Sequence, residues 1–315
     1  MIRQMKLEGI HHITAITGDA PANVEFYVGV LGLRMVKKTV NQDDPSVYHL
    51  FYGDDCGDPG ADLTFFEYPG VTRGRAGAGM VHTIGWRVGS AETLDFWERR
   101  LAGEGVAGER TDAGLGFSDP EGLRHELHVY TGDQPPLTAS APDIPSKHAL
   151  QGFDGVRAYA AAPQDSAALL AEKLGFKQQE APGEWVVGGD NRSSYFSYDA
   201  PPAEPGIQGA GSVHHVAFAT YPEDQDTWQK RMSDAGTHAT PVIDRFYFRS
   251  IYFREPAGVL FELATMGPGF TADEPLEELG EHLSLPPDFE HLRERLAGLL
   301  TPLPDPRAAG QRPSL

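Results

Sequence analysis

The sequence predicts an α+β protein in which one βαβββ module occurs four times. Strand-like apolar runs recur along the chain, and in four places a segment with helical spacing follows such a run. The outermost modules also open almost alike. Residues 9–15 read Gly-Ile-His-His-Ile-Thr-Ala, and residues 212–218 read Ser-Val-His-His-Val-Ala-Phe. This repetition predicts that two distant parts of the chain occupy equivalent places in the fold.

The first module sets the pattern. A strand is predicted over residues 10–16, and apolar residues at helical spacing predict a helix over residues 21–31. Gly32 then ends that helix. Three further strands are predicted over residues 33–41, 48–53 and 62–68.

The other three modules repeat this order. Their predicted helices cover residues 91–104, 164–174 and 222–235. Their predicted strands cover residues 80–88, 106–110, 114–118 and 124–130, then 155–161, 177–180, 184–188 and 194–199, then 212–220, 240–243, 250–254 and 259–265. Matching turns, Pro-Glu-Gly at residues 120–122 and Pro-Ala-Gly at residues 256–258, precede the last strands of modules two and four.

Composition divides the chain into four parts. Residues 1–135 form an N-terminal domain with modules one and two, and a proline-rich linker covers residues 136–150. Residues 151–266 form a C-terminal domain with modules three and four, and residues 267–315 form a tail. One helix is predicted in the tail over residues 288–300. Its apolar face should pack on the body through Phe289, Leu292, Leu296, Leu299 and Leu300.

The composition is that of a cytoplasmic protein with a real core. The chain has 315 residues, of which 40% are hydrophobic, and no stretch approaches the roughly 18 apolar residues of a membrane span. A single cysteine, Cys56, cannot form an internal disulfide, which fits a reducing compartment, and no signal-peptide pattern opens the chain. The net charge of −19 argues against nucleic acid and anionic membranes as partners.

The His-His pairs are the main chemical signal. Glu262 lies in an apolar run 47 residues after the second pair. Two histidines and one carboxylate on strands are the parts of a non-haem iron(II) facial triad. Adjacent strand residues point to opposite faces, so only one histidine of each pair can face the same side as the carboxylate.

The four modules resemble the vicinal oxygen chelate superfamily, which holds glyoxalase I, the extradiol ring-cleaving dioxygenases and bleomycin-resistance proteins. Residues 9–15, 36–45 and 250–256 together resemble the hydroquinone ring-cleaving dioxygenases. The similarity covers essentially the whole chain. It implies that the modules pair into two half-barrel cups, as in glyoxalase and dihydroxybiphenyl dioxygenase, and that one cup holds iron.

The resemblance also implies roles for individual residues. It assigns the metal ligands as His12, His215 and Glu262. Residues with a catalytic role would be His11, Thr14, His214, Arg245 and Tyr252. Thr14 should line the cup, while Arg245 and Tyr252 would hold the substrate oxygen. The alternatives are structural histidines at positions 11 and 214, a surface arginine and a core tyrosine.

An ungapped comparison of the modules predicts a single metal site. The ligand column reads His12, Thr83, Ala158 and His215, so modules two and three lack both histidines. We therefore expect modules one and four to build the site and the second cup to be structural.

The last strands give a carboxylate column that reads Thr64, Glu126 and Glu262. Glu126 is expected to pair with Arg157 or Arg124, although a second metal held with His128 stays open. Glyoxalase I uses four protein ligands, and Thr64 offers no acid unless a bulge brings Glu67 to the same face. Lys37 and Lys38 are expected on a solvent-exposed strand edge.

The resulting functional prediction is an Fe(II)-dependent dioxygenase that cleaves the ring of hydroquinones, substituted or chlorinated. Mn(II), Zn(II) and Ni(II) are alternative metals. The partners would be a small aromatic substrate and dioxygen, and assembly into a homo-oligomer is left open. A glyoxalase-like isomerase or lyase and a non-catalytic binding protein are the alternative functions.

Overall fold

The computed structural model describes residues 5–189 and 191–305, in which sixteen strands form two eight-stranded sheets. The first sheet takes four strands from module one and four from module four. They are β1 (Ile10–Thr17), β2 (Arg34–Asn41), β3 (Asp44–Gly53), β4 (Asp62–Glu67), β13 (Val213–Thr220), β14 (Ile243–Asp244), β15 (Arg249–Arg254) and β16 (Leu260–Thr265).

The second sheet takes its strands from modules two and three. They are β5 (Met80–Val88), β6 (Glu109–Thr111), β7 (Gly114–Ser118), β8 (Arg124–Val129), β9 (Phe153–Tyr159), β10 (Lys177–Gln178), β11 (Glu184–Gly188) and β12 (Ser193–Asp199). In each sheet the opening strands of two modules pair antiparallel at the centre, β1 with β13 and β5 with β9. The predicted fold of four modules in two curled sheets is confirmed. The predicted linker at residues 136–150 divides the chain between modules two and three. Each sheet nevertheless combines one module from before this linker with one from after it.

Each module carries one helical segment after its first strand. These segments are α1 (Ala20–Val24) continued by a π-helix at Glu25–Val30, α2 (Ala91–Gly103), a 3-10 turn at Pro163–Ser166 followed by a π-helix at Leu169–Lys173, and α3 (Gln225–Asp234). Gly32, Gly175 and Gly236 follow three of them with φ of 69°, 76° and 76°, the left-handed conformation that a glycine adopts at a helix end.

The sheet register corrects the comparison of module three with the others. Ile13 lies opposite Val216 in the first sheet, and Ile84 lies opposite Val156 in the second. Val156 is therefore the counterpart of Val216, and Gly155 rather than Ala158 corresponds to the ligand His215. The prediction was wrong by three residues because an alignment anchored on one apolar residue cannot set register where no histidine marks the strand. Its conclusion that module three offers no ligand histidine is unchanged.

The tail packs on the body both before and along its predicted helix, where Leu296 and Leu300 are buried in the core and Phe289 and Leu292 pack against it. A 3-10 turn at Pro287–Leu292 leads into α4 (Arg293–Ala297), and the side chain of Leu299 is 51% exposed rather than buried. Earlier in the tail, Phe270 and Leu279 join a small apolar cluster with Phe51 on the concave side of the first sheet. The tail thus closes one end of that cup.

Lys37 is the strongest departure from the sequence prediction. Its side chain is 0% exposed, and Nζ donates to the carbonyl oxygen of Phe270 at 3.1 Å and to Asp273 Oδ1 at 2.8 Å. It also bonds Glu274. Strand parity places Lys37 on the concave face, where the tail covers it, so the expected solvent-exposed position was wrong for this residue.

Candidate metal centre

Three buried side chains converge at the middle of the first sheet. Glu262 Oε2 lies 2.8 Å from His215 Nε2 and 3.1 Å from His12 Nε2. The two Nε2 atoms are 3.3 Å apart. None of the three side chains is more than 4% exposed. The predicted ligand set therefore meets in space, although 203 residues separate the two histidines.

A hydrogen bond from His12 to His11 orients the unprotonated Nε2 of His12 toward His215 and Glu262. His11 Nε2 donates to the carbonyl oxygen of Thr265 at 3.2 Å, which leaves His11 Nδ1 as an acceptor 3.0 Å from His12 Nδ1. His12 then carries its proton on Nδ1 and presents the lone pair of Nε2. Burial is the largest cause that lowers the pKa of His11 to about 3, so this ring is neutral, as an acceptor must be.

The fourth module repeats the arrangement. His214 Nδ1 lies 2.8 Å from His215 Nδ1, and burial is the main cause that lowers the pKa of His214 to about 4. Both ligand rings are thus oriented by their sequence neighbours, the partnership that metal-bound histidines usually have. His11 and His214 do not line the cavity beside the predicted ligands. Each contacts the Nδ1 side of the neighbouring ring instead.

One carboxylate oxygen of Glu262 accepts a hydrogen bond, and the other is directed at the two histidines. Ser250 Oγ donates to Oε1 at 2.5 Å, whereas Oε2 receives no hydrogen bond from any residue that the structure describes. A buried carboxylate oxygen facing two nitrogen lone pairs fits a bound cation, so the donor set suits a metal ion.

A small cavity opens beside the ligand histidines. Arg245 and Tyr252 line it together with His12 and His215. The guanidinium carbon of Arg245 lies 5.5 Å from the ring centre of Tyr252. Burial is the largest cause that raises the pKa of Tyr252, which keeps its phenol protonated and able to donate. Both residues predicted to face the substrate therefore line the cavity beside the predicted ligands.

Thr14 lies on the same face as His12 but, contrary to the prediction, does not line the cavity, because it is fully buried against its neighbours. Its Oγ1 is 2.8 Å from Thr64 Oγ1, and Thr64 Oγ1 is 2.9 Å from His49 Nε2. The strands carrying Thr14 and Thr64 pair regularly up to Thr17 opposite Glu67. Glu67 consequently points away from the cavity, and the bulge that would have made it a fourth ligand is absent from β4.

Sequence reasoning missed several residues of this centre. His49 sits between the rings of Phe51 and Phe66, with centroids 4.0 and 4.4 Å away, and burial lowers its pKa well below the ordinary value. Strand parity could have proposed His49, but its relation to the ligands depends on the register of β3 against β4. The sequence also could not predict the contact of Ser250 with Glu262, because it depends on the pairing of Ser250 opposite Ala264.

The second cup lacks the ligand set. The counterparts of the ligands are Thr83 and Gly155, and Glu126 is the counterpart of Glu262. Glu126 lies 3.5 Å from His128, so neither predicted arginine is its ion-pair partner. Arg157 instead binds Asp199 and Arg124 binds Glu109. A side chain at Gly155 would collide with Tyr195, which fills the space over this position.

Paired βαβββ modules with two histidines and a carboxylate on a concave sheet define the tandem-module class of this fold, with one candidate metal site. Comparison with known proteins agrees. Residues 9–127 and 152–263 match the Glyoxalase/Bleomycin resistance protein/Dioxygenase superfamily, and the chain belongs to this family.

Full-length relatives carry the names of ring-cleaving enzymes. A Bacillus subtilis protein provisionally named ring-cleaving dioxygenase MhqA is 39% identical over 320 residues, covering 95% of this chain and 100% of its own. The chlorohydroquinone/hydroquinone 1,2-dioxygenase of Sphingobium indicum is 32% identical over 311 residues, covering 92% and 95%.

Solved structures support the same placement. The crystal structure of a protein from Bacillus subtilis that is provisionally named a dioxygenase superposes with a TM-score of 0.89 at 38% identity, covering 96% of this chain and 99% of that one. Glyoxalase I from Zea mays reaches a TM-score of 0.57 at 14% identity, covering 87% and 97%, and shows the shared fold alone. Within the described residues, no helix is both long and apolar enough to span a membrane.

Proposed function

We propose that this protein is a non-haem Fe(II)-dependent dioxygenase that opens the ring of a hydroquinone. The observation that carries the proposal is the convergence of His12, His215 and Glu262 within 3.3 Å of one another beside a cavity lined by Arg245 and Tyr252. Three protein ligands leave positions for a substrate oxygen and for dioxygen. The Sphingobium relative, by its name, acts on chlorohydroquinone and hydroquinone. The single exposed cysteine, Cys56, suits a cytoplasmic location.

The chain's own residues would bind and orient the ring. Bound iron(II) would supply a Lewis acid and a path for electrons between the ring and dioxygen. Arg245 would stabilise the ionised hydroxyl of the substrate, and the protonated Tyr252 would donate a hydrogen bond to it. Phe51, Phe66 and Phe248 line the same cavity and would keep water from the reacting carbons. Both atoms of dioxygen would enter the ring-opened product.

Thr64 argues for oxygen chemistry over an isomerase of the glyoxalase I type. It occupies the place in module one that Glu262 occupies in module four, and its hydroxyl bonds Thr14 and His49. A fourth protein ligand at this position would take one of the places that substrate and dioxygen need. With threonine there, those places stay open.

The test is oxygen uptake by protein purified without air and loaded with ferrous iron. We expect one dioxygen consumed per methylhydroquinone or chlorohydroquinone, and one ring-opened product formed. His215→Ala should remove both. Parallel samples loaded with Mn(II), Zn(II) or Ni(II) identify the working metal. Metal binding without uptake on any hydroquinone or catechol would overturn the proposal, and so would uptake that His215→Ala retains.

A further inference from the structure

We propose that the aromatic substrate enters the metal centre by opening a clasp between the two edges of the first sheet. The clasp consists of the hydrogen bonds that Gln42 and Asp43 make with Arg245. This inference rests on the function proposed above, and it names the route and the residue that controls it.

The cavity beside the ligands is too small to admit a ring as it stands. Its free volume is about 40 Å³. A cavity that holds benzene in a protein interior measures about 150 Å³. A hydroquinone carries two more oxygens than benzene, so at least one wall of the cavity must move before it can bind.

One wall of the cavity is the clasp. Asp43 lies in the two-residue turn between β2 and β3, and Arg245 follows β14, at the opposite edge of the eight-stranded sheet. Arg245 donates through its two terminal nitrogens to Asp43 at 3.0 and 2.9 Å, and Gln42 Nε2 donates to the carbonyl oxygen of Arg245 at 2.8 Å. These contacts join two hairpins that share no strand pairing. The carboxylate side is open to water, since the Asp43 side chain is 72% exposed.

A second wall consists of Tyr247 and Phe248, which line both the metal cavity and a larger cavity of about 740 Å³. This wall is fixed in place. Tyr247 Oη donates to Asp273 Oδ2 at 2.9 Å, and Asp273 pairs with the fully buried Lys37 at 2.8 Å. The side chains of Tyr247 and Phe248 are 2% and 5% exposed.

The difference in burial decides which wall opens. In the clasp the Asp43 side chain is 72% exposed and the Arg245 side chain 17%, so water and salt solvate the carboxylate when the pair breaks, while the guanidinium stays beside the ring of Tyr252. An ion pair with such an exposed partner contributes little to stability. Breaking a pair around a buried lysine leaves charges without solvent and is strongly unfavourable. The clasp therefore opens far more readily than the wall held by Lys37.

Opening the clasp also changes what Arg245 can bind. In the closed clasp, Asp43 accepts one hydrogen bond from each terminal nitrogen of Arg245. Once Asp43 moves away, these donors are free beside the cavity that His12 and His215 line. Asp43 is thus a positioning residue that holds Arg245 until a substrate oxygen takes its place.

The test compares Asp43→Ala with the wild type as iron-loaded protein acting on methylhydroquinone. This substrate is neutral at pH 7, since phenols ionise near pH 10, so salt does not act through long-range attraction. We expect kcat/KM to rise about two- to five-fold in Asp43→Ala, the range that an exposed pair accounts for. In the wild type kcat/KM should rise with salt between 0.01 and about 1 M, and in the variant it should stay flat.

Asp226→Ala is the matched control. It removes another exposed pair, Asp226 with Arg249 at 3.2 Å. Arg249 follows Arg245 by four residues, but its side chain lies on the face of β15 opposite to that of Tyr252. We expect its kcat/KM and salt dependence to equal those of the wild type. Hydrogen exchange gives a readout that needs no turnover. The amides of Arg245 and Phe246 should exchange faster in Asp43→Ala, while the Ser284 amide, bonded to Lys38 O at 2.9 Å, should not change.

Several outcomes would overturn the clasp. One is an unchanged or lower kcat/KM in a folded Asp43→Ala protein, or in Asp43→Asn if the alanine variant does not fold. Another is a fall in kcat/KM after a bulky maleimide is attached to Cys56, which lines the larger cavity, because entry would then pass on that side. A wild-type protein that turns over no hydroquinone refutes the proposed function instead, and the exchange experiment still tests the clasp.

Discussion

The ring of His11 joins the backbone of β16 to His12, a predicted metal ligand. Its Nε2 lies 3.2 Å from the carbonyl oxygen of Thr265, and its Nδ1 lies 3.0 Å from Nδ1 of His12. A carbonyl can only accept, so this one contact fixes the proton on His11 and, through it, the proton on His12. The orientation of a ligand from module one thus depends on a strand from module four.

Replacing His11 by phenylalanine should weaken metal binding. The variant removes the acceptor for His12 Nδ1 while keeping a flat ring beside Phe248. We expect a loss of about 10–100-fold in affinity, the usual cost of losing such a partner. Titration of metal-free protein with Co(II) against a chelator measures it. His82→Phe, at the equivalent place in the second cup, is the control, and equal losses in both variants would contradict this role.

Replacing Lys37 by methionine should destabilise the fold strongly. The change leaves the Asp273 and Glu274 carboxylates without their buried cation, and we expect a loss of about 3–5 kcal/mol in the free energy of unfolding. Chemical denaturation measures it. Lys230→Met removes an exposed pair with Asp234 and should cost less than about 1 kcal/mol. A similar small loss for Lys37→Met would show that the buried pair does not hold the tail.

The sequence predicts the parts of this molecule that repeat, and it misses those that depend on register. Periodicity and glycine stops locate the modules, and the two His-His pairs with Glu262 locate the ligands. Nothing local in the sequence reveals that Ser250 lies beside Glu262, because two strands must pair before they meet. Lys37 shows the same limit, since an isolated strand cannot indicate that a tail more than 230 residues later covers it.

Stability should depend on pH through His128 in the second cup. Burial lowers the pKa of His128, but the hydrogen bond with Asp154 and the neighbouring carboxylate of Glu126 outweigh burial and raise that pKa from 6.5 to about 9. A folded pKa above the unfolded one stabilises the protein fully below pH 6.5, and this contribution is lost as the pH rises through 9.

Comparison with His128→Gln tests this dependence. The wild type should exceed the variant by about 1–3 kcal/mol in the free energy of unfolding at pH 6. Denaturation curves at pH 6, 7.5 and 9 should show this difference shrinking as the pH rises. A difference that stays constant would mean that the charge of His128 contributes nothing to stability.

Metal content should be one ion per chain, and it should depend on only one of two equivalent glutamates. Glu262 lies opposite Ala217 in the first sheet, as Glu126 lies opposite Gly85 in the second. Both changes to glutamine keep the shape of the side chain and remove its charge. We expect Glu262→Gln to lose most bound metal and Glu126→Gln to keep one ion per chain. Elemental analysis after dialysis measures both.

The physical reason is what surrounds each glutamate. Around Glu262, two histidine nitrogens face a free carboxylate oxygen, and a cation relieves the contact of their lone pairs. Around Glu126, the one imidazole that pairs with it among the described residues is His128, whose raised pKa keeps it a cation beside the carboxylate. Tyr195 then fills the space over Gly155 that a second ligand would need. Two metals per wild-type chain, with one lost in Glu126→Gln, would show that the second cup binds metal despite this packing.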